Sequence, residues 1–227
     1  MSDAKPLTMI DLLRLRPAMY LGDTGAAGLS RLIEAVLEFP RDPGGVLLHH
    51  RSRAEYLVEF VGCGVSLVPR EGSETPYLVE VMSRFQVPLD HPPSVSGLEV
   101  LRDDLNPARF EPSAVASLGL SFARAFSARL EVTSTCRGRR GKIVCAGGEI
   151  VEPLSVEDVG LPDGLRVDMS LDPAIFPVSS LGTAALAGLV RDVTNRRRLA
   201  IELLDAERST PVHFRAPGPD GQGNGAG

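Results

Sequence analysis

The strongest constraint on the fold is a succession of short apolar runs between positions 54 and 82: YLVEFVG, GVSLV and YLVEVM. Gly62, Gly64 and the REGSETP stretch separate them, and short apolar runs punctuated by turn residues predict strands joined by tight turns. Two more runs, LEVTSTC and KIVCAG, flank the basic turn RGRRGK. GLRVDMS follows with DPAIF leading off it, and RLAIELLD and VHFRAP close the series. Helical patterns are interleaved with these runs. In 28–38, Leu29, Leu32, Ile33, Val36 and Leu37 form one stripe, stopped by Pro40 and the 43–45 stretch. Residues 113–129 predict a second helix, started by Ser113 after Pro112, with Ala114, Ala116, Ala123 and Ala125 suited to close packing on a sheet. Residues 180–197 predict a third, striped by Leu186, Leu189, Val190 and Val193. This order describes an α+β two-layer sandwich, with helices on one face of a mixed, mostly antiparallel sheet.

The segment from Gln86 to Pro112 is rich in proline and polar residues and reads as a long loop with one short helical turn around Leu98–Leu101. GPDGQGNGAG at the end reads as a flexible tail, so the expected organisation is one domain over 1–217 and a glycine-rich tail over 218–227. With 227 residues, 43% of them hydrophobic, the chain can bury a sizeable core. No run is long enough to span a bilayer and the first residues do not resemble a signal peptide, so the expected location is cytoplasmic.

The formal charge of -5 argues against a general polyanion binder. Two local basic clusters, Arg137–Lys142 and Arg196–Arg198, are candidate nucleic-acid contacts. The plainer readings are a solvated hairpin tip and arginines favoured at a helix C-terminus. Cys63, Cys136 and Cys145 lack metal-ligand spacing and are expected to be reduced thiols. His49, His50, His91 and His213 lie in no ligand motif, and no metal is expected.

Residues 14–24, RLRPAMYLGDT, resemble the R-P-G-M-Y-I-G-D-T element near the start of DNA gyrase B and its topoisomerase IV counterpart. Arg16, Pro17, Met19, Tyr20, Gly22, Asp23 and Thr24 match. Gly28–Leu29, FSARLEV (126–132), GLRVDMSLDPAIF (164–176) and the helix-and-strand pair at 184–204 resemble later elements of that ATPase domain in the same order. The resemblance covers about residues 8–217 and implies the GHKL fold shared by gyrase B, certain chaperones, mismatch-repair ATPases and histidine kinases. A transducer and a DNA-cleavage region would not fit in this length, so a self-sufficient topoisomerase is not expected.

The same resemblance implies an altered nucleotide site. The family's first helix carries E-x-x-x-N: the glutamate activates water and the asparagine holds magnesium. Counting from Gly28 puts Ala35 at the glutamate and Phe39 at the asparagine. A one-residue slip would offer Glu34 and Glu38, but it would turn the apolar stripe by about 100° and expose it. The slip is therefore rejected and both glutamates are read as solvent-facing, with a polar role left open for Glu38. The aspartate of D-G-x-G, which accepts the adenine amino hydrogen, falls at Arg70 or at Ser83, with Arg70 preferred. Of the glycine-rich phosphate lid only Gly119 remains in AVASLG, 114–119. Of the G-T pair, Gly164 is kept and Leu165 replaces the threonine.

The remnant pocket is thus Glu38, Phe39, Arg70, Gly119, Gly164 and Leu165, with no catalytic residue and no metal ligand. The expected function is a non-hydrolysing, gyrase-B-like ATPase-fold protein that binds another macromolecule, a protein partner before a nucleic acid, and is monomeric alone. No cofactor is expected. One alternative is an ATP- and magnesium-dependent ATPase subunit or fragment of a type II topoisomerase-like system. Another is a small-molecule binder with a remodelled, more apolar pocket.

Overall fold

The computed structural model describes residues 7–40, 42–52, 54–83, 112–177, 181–205 and 210–216, with 112–118 described by backbone alone. Helix α1 (Met9–Leu15) begins with a capping box: the Thr8 N–H donates to Asp11 Oδ2 at 2.7 Å, and the Asp11 N–H donates to Thr8 Oγ1 at 3.3 Å. Helix α2 (Pro17–Leu21) starts on a proline, which has no N–H to leave unpaired there. Gly28 lies in α3 (Ala26–Leu37), where a Cβ would stand 2.7 Å from the Asp23 carbonyl carbon and closer still to its oxygen. Only glycine lets the Leu21–Asp23 corner sit that close to α3.

Strands β1 (Gly45–Ser52), β2 (Glu55–Val61), β3 (Ser127–Cys136), β4 (Arg139–Ala146), β5 (Glu149–Asp158), β6 (Gly164–Leu171), β7 (Ile201–Asp205) and β8 (Val212–Phe214) form one sheet in the order β5-β4-β3-β6-β2-β1-β7-β8. All neighbours are antiparallel except β1 and β7, which run parallel from Val46↔Ile201 to His50↔Asp205. Helices α4 (Tyr77–Ser83), α5 (Pro112–Phe126) and α6 (Thr183–Arg197) complete the described elements. The alternation along β6 is strict: Leu165, Val167, Met169 and Leu171 are buried, and the residues between them are not. The buried face shares one core with α1, α3, α5 and α6. The other face carries ion pairs of alternating sign, among them Arg166–Glu59 at 3.1 Å, Arg51–Asp168 at 3.0 Å and Lys142–Glu131 at 3.4 Å.

The two-layer α+β architecture is the expected one, but three local expectations change. YLVEVM forms α4 rather than a strand, because Leu78, Val81 and Met82 are buried at i, i+3 and i+4 while Glu80 is not. GVSLV does not enter the sheet; an isolated bridge, Pro69↔Pro76, closes the following turn instead. Strands β1 and β5 had no prediction. The 218–227 tail and nearly all of the long 86–112 loop, including 98–101, lie outside the described residues.

Candidate functional site

At the positions to which the nucleotide-site resemblance points, α3 packs on α5 and β2 pairs with β6. β2 and β6 set Phe60 opposite Leu165 and Val61 opposite Gly164. Opposed residues of an antiparallel pair share a face, and Phe60 and Leu165 are each only 2% exposed on the helix-covered one. Val61, on the other face, is 58% exposed. Phe39, just past α3, joins the same core, as do Val65 and Leu67 from the segment after β2. Ser134 of β3 fixes that segment: it accepts the Val65 N–H at 2.7 Å and donates to the Val65 carbonyl at 2.8 Å.

The α3 register follows the apolar stripe: Leu29, Leu32, Ile33, Val36 and Leu37 are all fully buried. Glu34 and Glu38 are not free in solvent as expected. Both accept from Arg196 Nη2, Glu34 at 2.6 Å, and Arg197 donates to the carbonyls of Glu38 and Pro40 at 2.9 Å each. Burial disfavours the Arg196 charge, but its bonds and ion pairs with the two glutamates outweigh this and raise its pKa. Arg196 and Arg197 therefore clamp the end of α3 onto α6.

Ala35 is half-buried, and its backbone touches Gly119 of α5. A Cβ on Gly119 would stand 2.8 Å from the Ala35 carbonyl carbon, 3.2 Å from Val36 Cα, and closer still to the Ala35 oxygen. The surviving glycine of the lid stretch thus lies at a helix crossing.

Arg70 and Ser83, the two candidates for the aspartate position, lie at opposite ends of the segment that carries α4. Arg70 sits in an exposed turn with its guanidinium 3.3 Å from the centroid of the Tyr77 ring, and Ser83 is the last residue of α4. The residue facing Leu165 is Phe60, and Gly62–Cys63–Gly64 follows directly as a G-x-G turn. Burial first, and then Asp163, pushes the Cys63 thiol up to about 11, so it stays protonated at neutral pH.

An eight-stranded mixed sheet covered on one face by helices is the architecture of the gyrase B ATPase domain, the GHKL fold. The chain has a gyrase-B-like ATPase fold. It is 25% identical over 201 residues to the type 2 topoisomerase B-subunit of Aquifex aeolicus (strain VF5), covering 83% of this chain and 23% of the relative. The 43K ATPase domain of Thermus thermophilus gyrase B, solved in complex with an aminocoumarin, superposes with a TM-score of 0.69 at 21% identity. That match covers 91% of this chain and 51% of the other, so the chain spans about half the solved domain and under a quarter of the curated relative. No sequence-family model matches the chain. Among the described residues no cluster of His, Cys, Asp and Glu is arranged to hold a metal, and no helix is long and apolar enough to cross a membrane.

Proposed function

We propose that this domain does not hydrolyse ATP and acts by binding a protein partner through the retained scaffold. The observation that carries the proposal is the chemistry of the side chains at the positions the resemblance assigns to the nucleotide. Where the resemblance puts a general base stands Ala35, where it puts a magnesium ligand stands Phe39, and the residue facing Leu165 is Phe60. None offers an oxygen to a proton, a metal ion or an adenine amino group. The nearest carboxylates on α3, Glu34 and Glu38, are engaged by Arg196. The residues present do not fit magnesium–ATP, and losing base and metal ligand together removes groups that act as a unit.

The purified domain, incubated with ATP and magnesium, is expected to release phosphate at the rate of a mock preparation and to show no thermal shift at millimolar nucleotide. The double variant Ala35→Glu/Phe39→Asn is expected to remain inactive, because Phe60 and Leu165 still close the adenine face. Saturable magnesium-dependent turnover by the parent chain would overturn the proposal. Alone, the domain is expected to scatter light as a monomer of 24.2 kDa with and without ATP.

A further inference from the structure

We infer that the hollow between α4 and the β4–β5 hairpin is a second ligand site, and that it takes a small aliphatic carboxylate. This inference does not rest on the reading of the nucleotide corner, since the hollow shares no residue with Phe39, Phe60 or Leu165. Its volume is about 510 Å³, within the ~300–1,000 Å³ range of small-molecule sites. The floor is Ile143 of β4 with Ile150, Leu154 and Val156 of β5; Leu67 and Val79 wall it on the helix side. The depth is set by the strand pairing. The β4–β5 register shifts twice, between Lys142 and Val144 and again at Cys145, around the stretch containing Pro153. Extra residues on an edge strand bend it and raise its twist, and proline is tolerated there because no ladder hydrogen bond is required of it. The result is an apolar recess that opens along the sheet edge, where Val156 is 37% exposed while Ile143 beneath it is fully buried.

Arg139 supplies the polarity. It is the one charged residue among the described lining residues. It stands on the same face of β4 as Ile143, four residues away along the strand, at one end of the hollow. Its partner, Asp158, is 3.5 Å away and 92% exposed, a loose pair that a ligand carboxylate can displace with two parallel N–H···O bonds. An aliphatic chain against branched aliphatic walls with a carboxylate on the guanidinium meets both chemistries. No aromatic side chain lines the described walls to favour a flat ring. An alcohol of equal length would satisfy only the walls, and a quaternary ammonium would meet the wrong charge.

The test uses the whole chain with isotope-labelled Ile, Leu and Val methyl groups, titrated with decanoate, decan-1-ol and decyltrimethylammonium below their micelle concentrations. Decanoate is expected to bind saturably, with shifts concentrated at Ile143, Ile150, Leu154 and Val156. Arg139→Glu, a half-exposed position that leaves the core intact, is expected to weaken decanoate at least about fivefold while leaving decan-1-ol unchanged. Val79→Trp, which fills the recess, is expected to abolish both. Decan-1-ol binding as tightly as decanoate with no effect of Arg139→Glu would overturn the carboxylate assignment. Shifts elsewhere, or none that saturate, would overturn the site itself.

Discussion

Gly119→Ala separates two explanations of the one surviving lid glycine. If the glycine is there for phosphate, a methyl group on a helix interior should raise stability by about 1 kcal/mol, the ordinary gain of alanine over glycine. The structure dictates the opposite sign. The new Cβ would meet the Ala35 carbonyl carbon at 2.8 Å and Val36 Cα at 3.2 Å, both in the backbone of α3. Backbone cannot swing aside as a side chain can, so α3 and α5 must part by roughly 0.7 Å or more to reach ordinary carbon–carbon contact. That separation loosens Leu32, Ile33, Val36, Leu120 and Ala123, all fully buried. Overpacking of this kind costs about 1–3 kcal/mol. Because it disturbs a whole helix crossing, the upper part of that range applies, leaving a net loss of about 1–2 kcal/mol after the propensity gain. For a domain of this size the melting temperature should fall by about 2–8 °C. The control is Gly188→Ala in α6, where a Cβ would meet nothing within 4 Å and the melting temperature should rise by about 1–4 °C. Calorimetry on the two variants reads both signs. If Gly119→Ala is as stabilising as Gly188→Ala, the crossing yields and packing does not explain the glycine.

Three further outcomes follow from named contacts. Phe60→Asp puts a carboxylate on a face that is 2% exposed and should cost about 3–5 kcal/mol in urea unfolding; a variant as stable as the parent would show that water reaches this face. Burial, only partly offset by Arg124, pushes the Cys145 thiol up to about 11, so the native state keeps a proton that the unfolded chain loses from about pH 8.5. Stability should therefore be constant below that pH and fall by up to about 1.4 kcal/mol per pH unit between there and pH 11, with a shallower fall in Cys145→Ala. Arg196→Ala removes the shared partner of Glu34 and Glu38, and because the arginine is 50% exposed the loss should be only about 0.5–1 kcal/mol and shrink in high salt.

Much of the fold was legible because the apolar periodicity is strong where helices pack on the sheet. The α3 stripe named five residues, and all five are fully buried. Periodicity failed at YLVEVM, an apolar run too short to tell a period of 2 from one of 3.6; only burial of Leu78, Val81 and Met82 identifies the helix. β1 escaped notice because His49, His50 and Arg51 interrupt its apolar pattern, although His50 is itself buried against Asp205 and stacked on Tyr56. β5 escaped because it is an edge strand with a proline in it and little of it is buried. At the candidate site, counting along regular elements assigned Ala35, Phe39 and Leu165 to positions in α3, just past it and in β6. The residue facing Leu165 could not be assigned in this way, because a sheet pairing between positions more than 100 apart is invisible to local spacing.

Several residues that carry the family likeness have packing roles. Gly28 admits the Leu21–Asp23 corner, and Gly119 admits the α3 crossing. Asp172 of the DPAIF stretch pairs with Arg14, accepts the Ala174 N–H at 2.9 Å and leads into Phe176, which is fully buried. These contacts hold whether or not a nucleotide is present, so their survival measures how well the scaffold is held and says nothing for catalysis. An unpaired carboxylate at the buried position 60 would cost several kcal/mol of desolvation. The apolar side chains of Phe39, Phe60 and Leu165 instead add to the core. The packing of the scaffold therefore stabilises the apolar residues at these positions independently of any ligand.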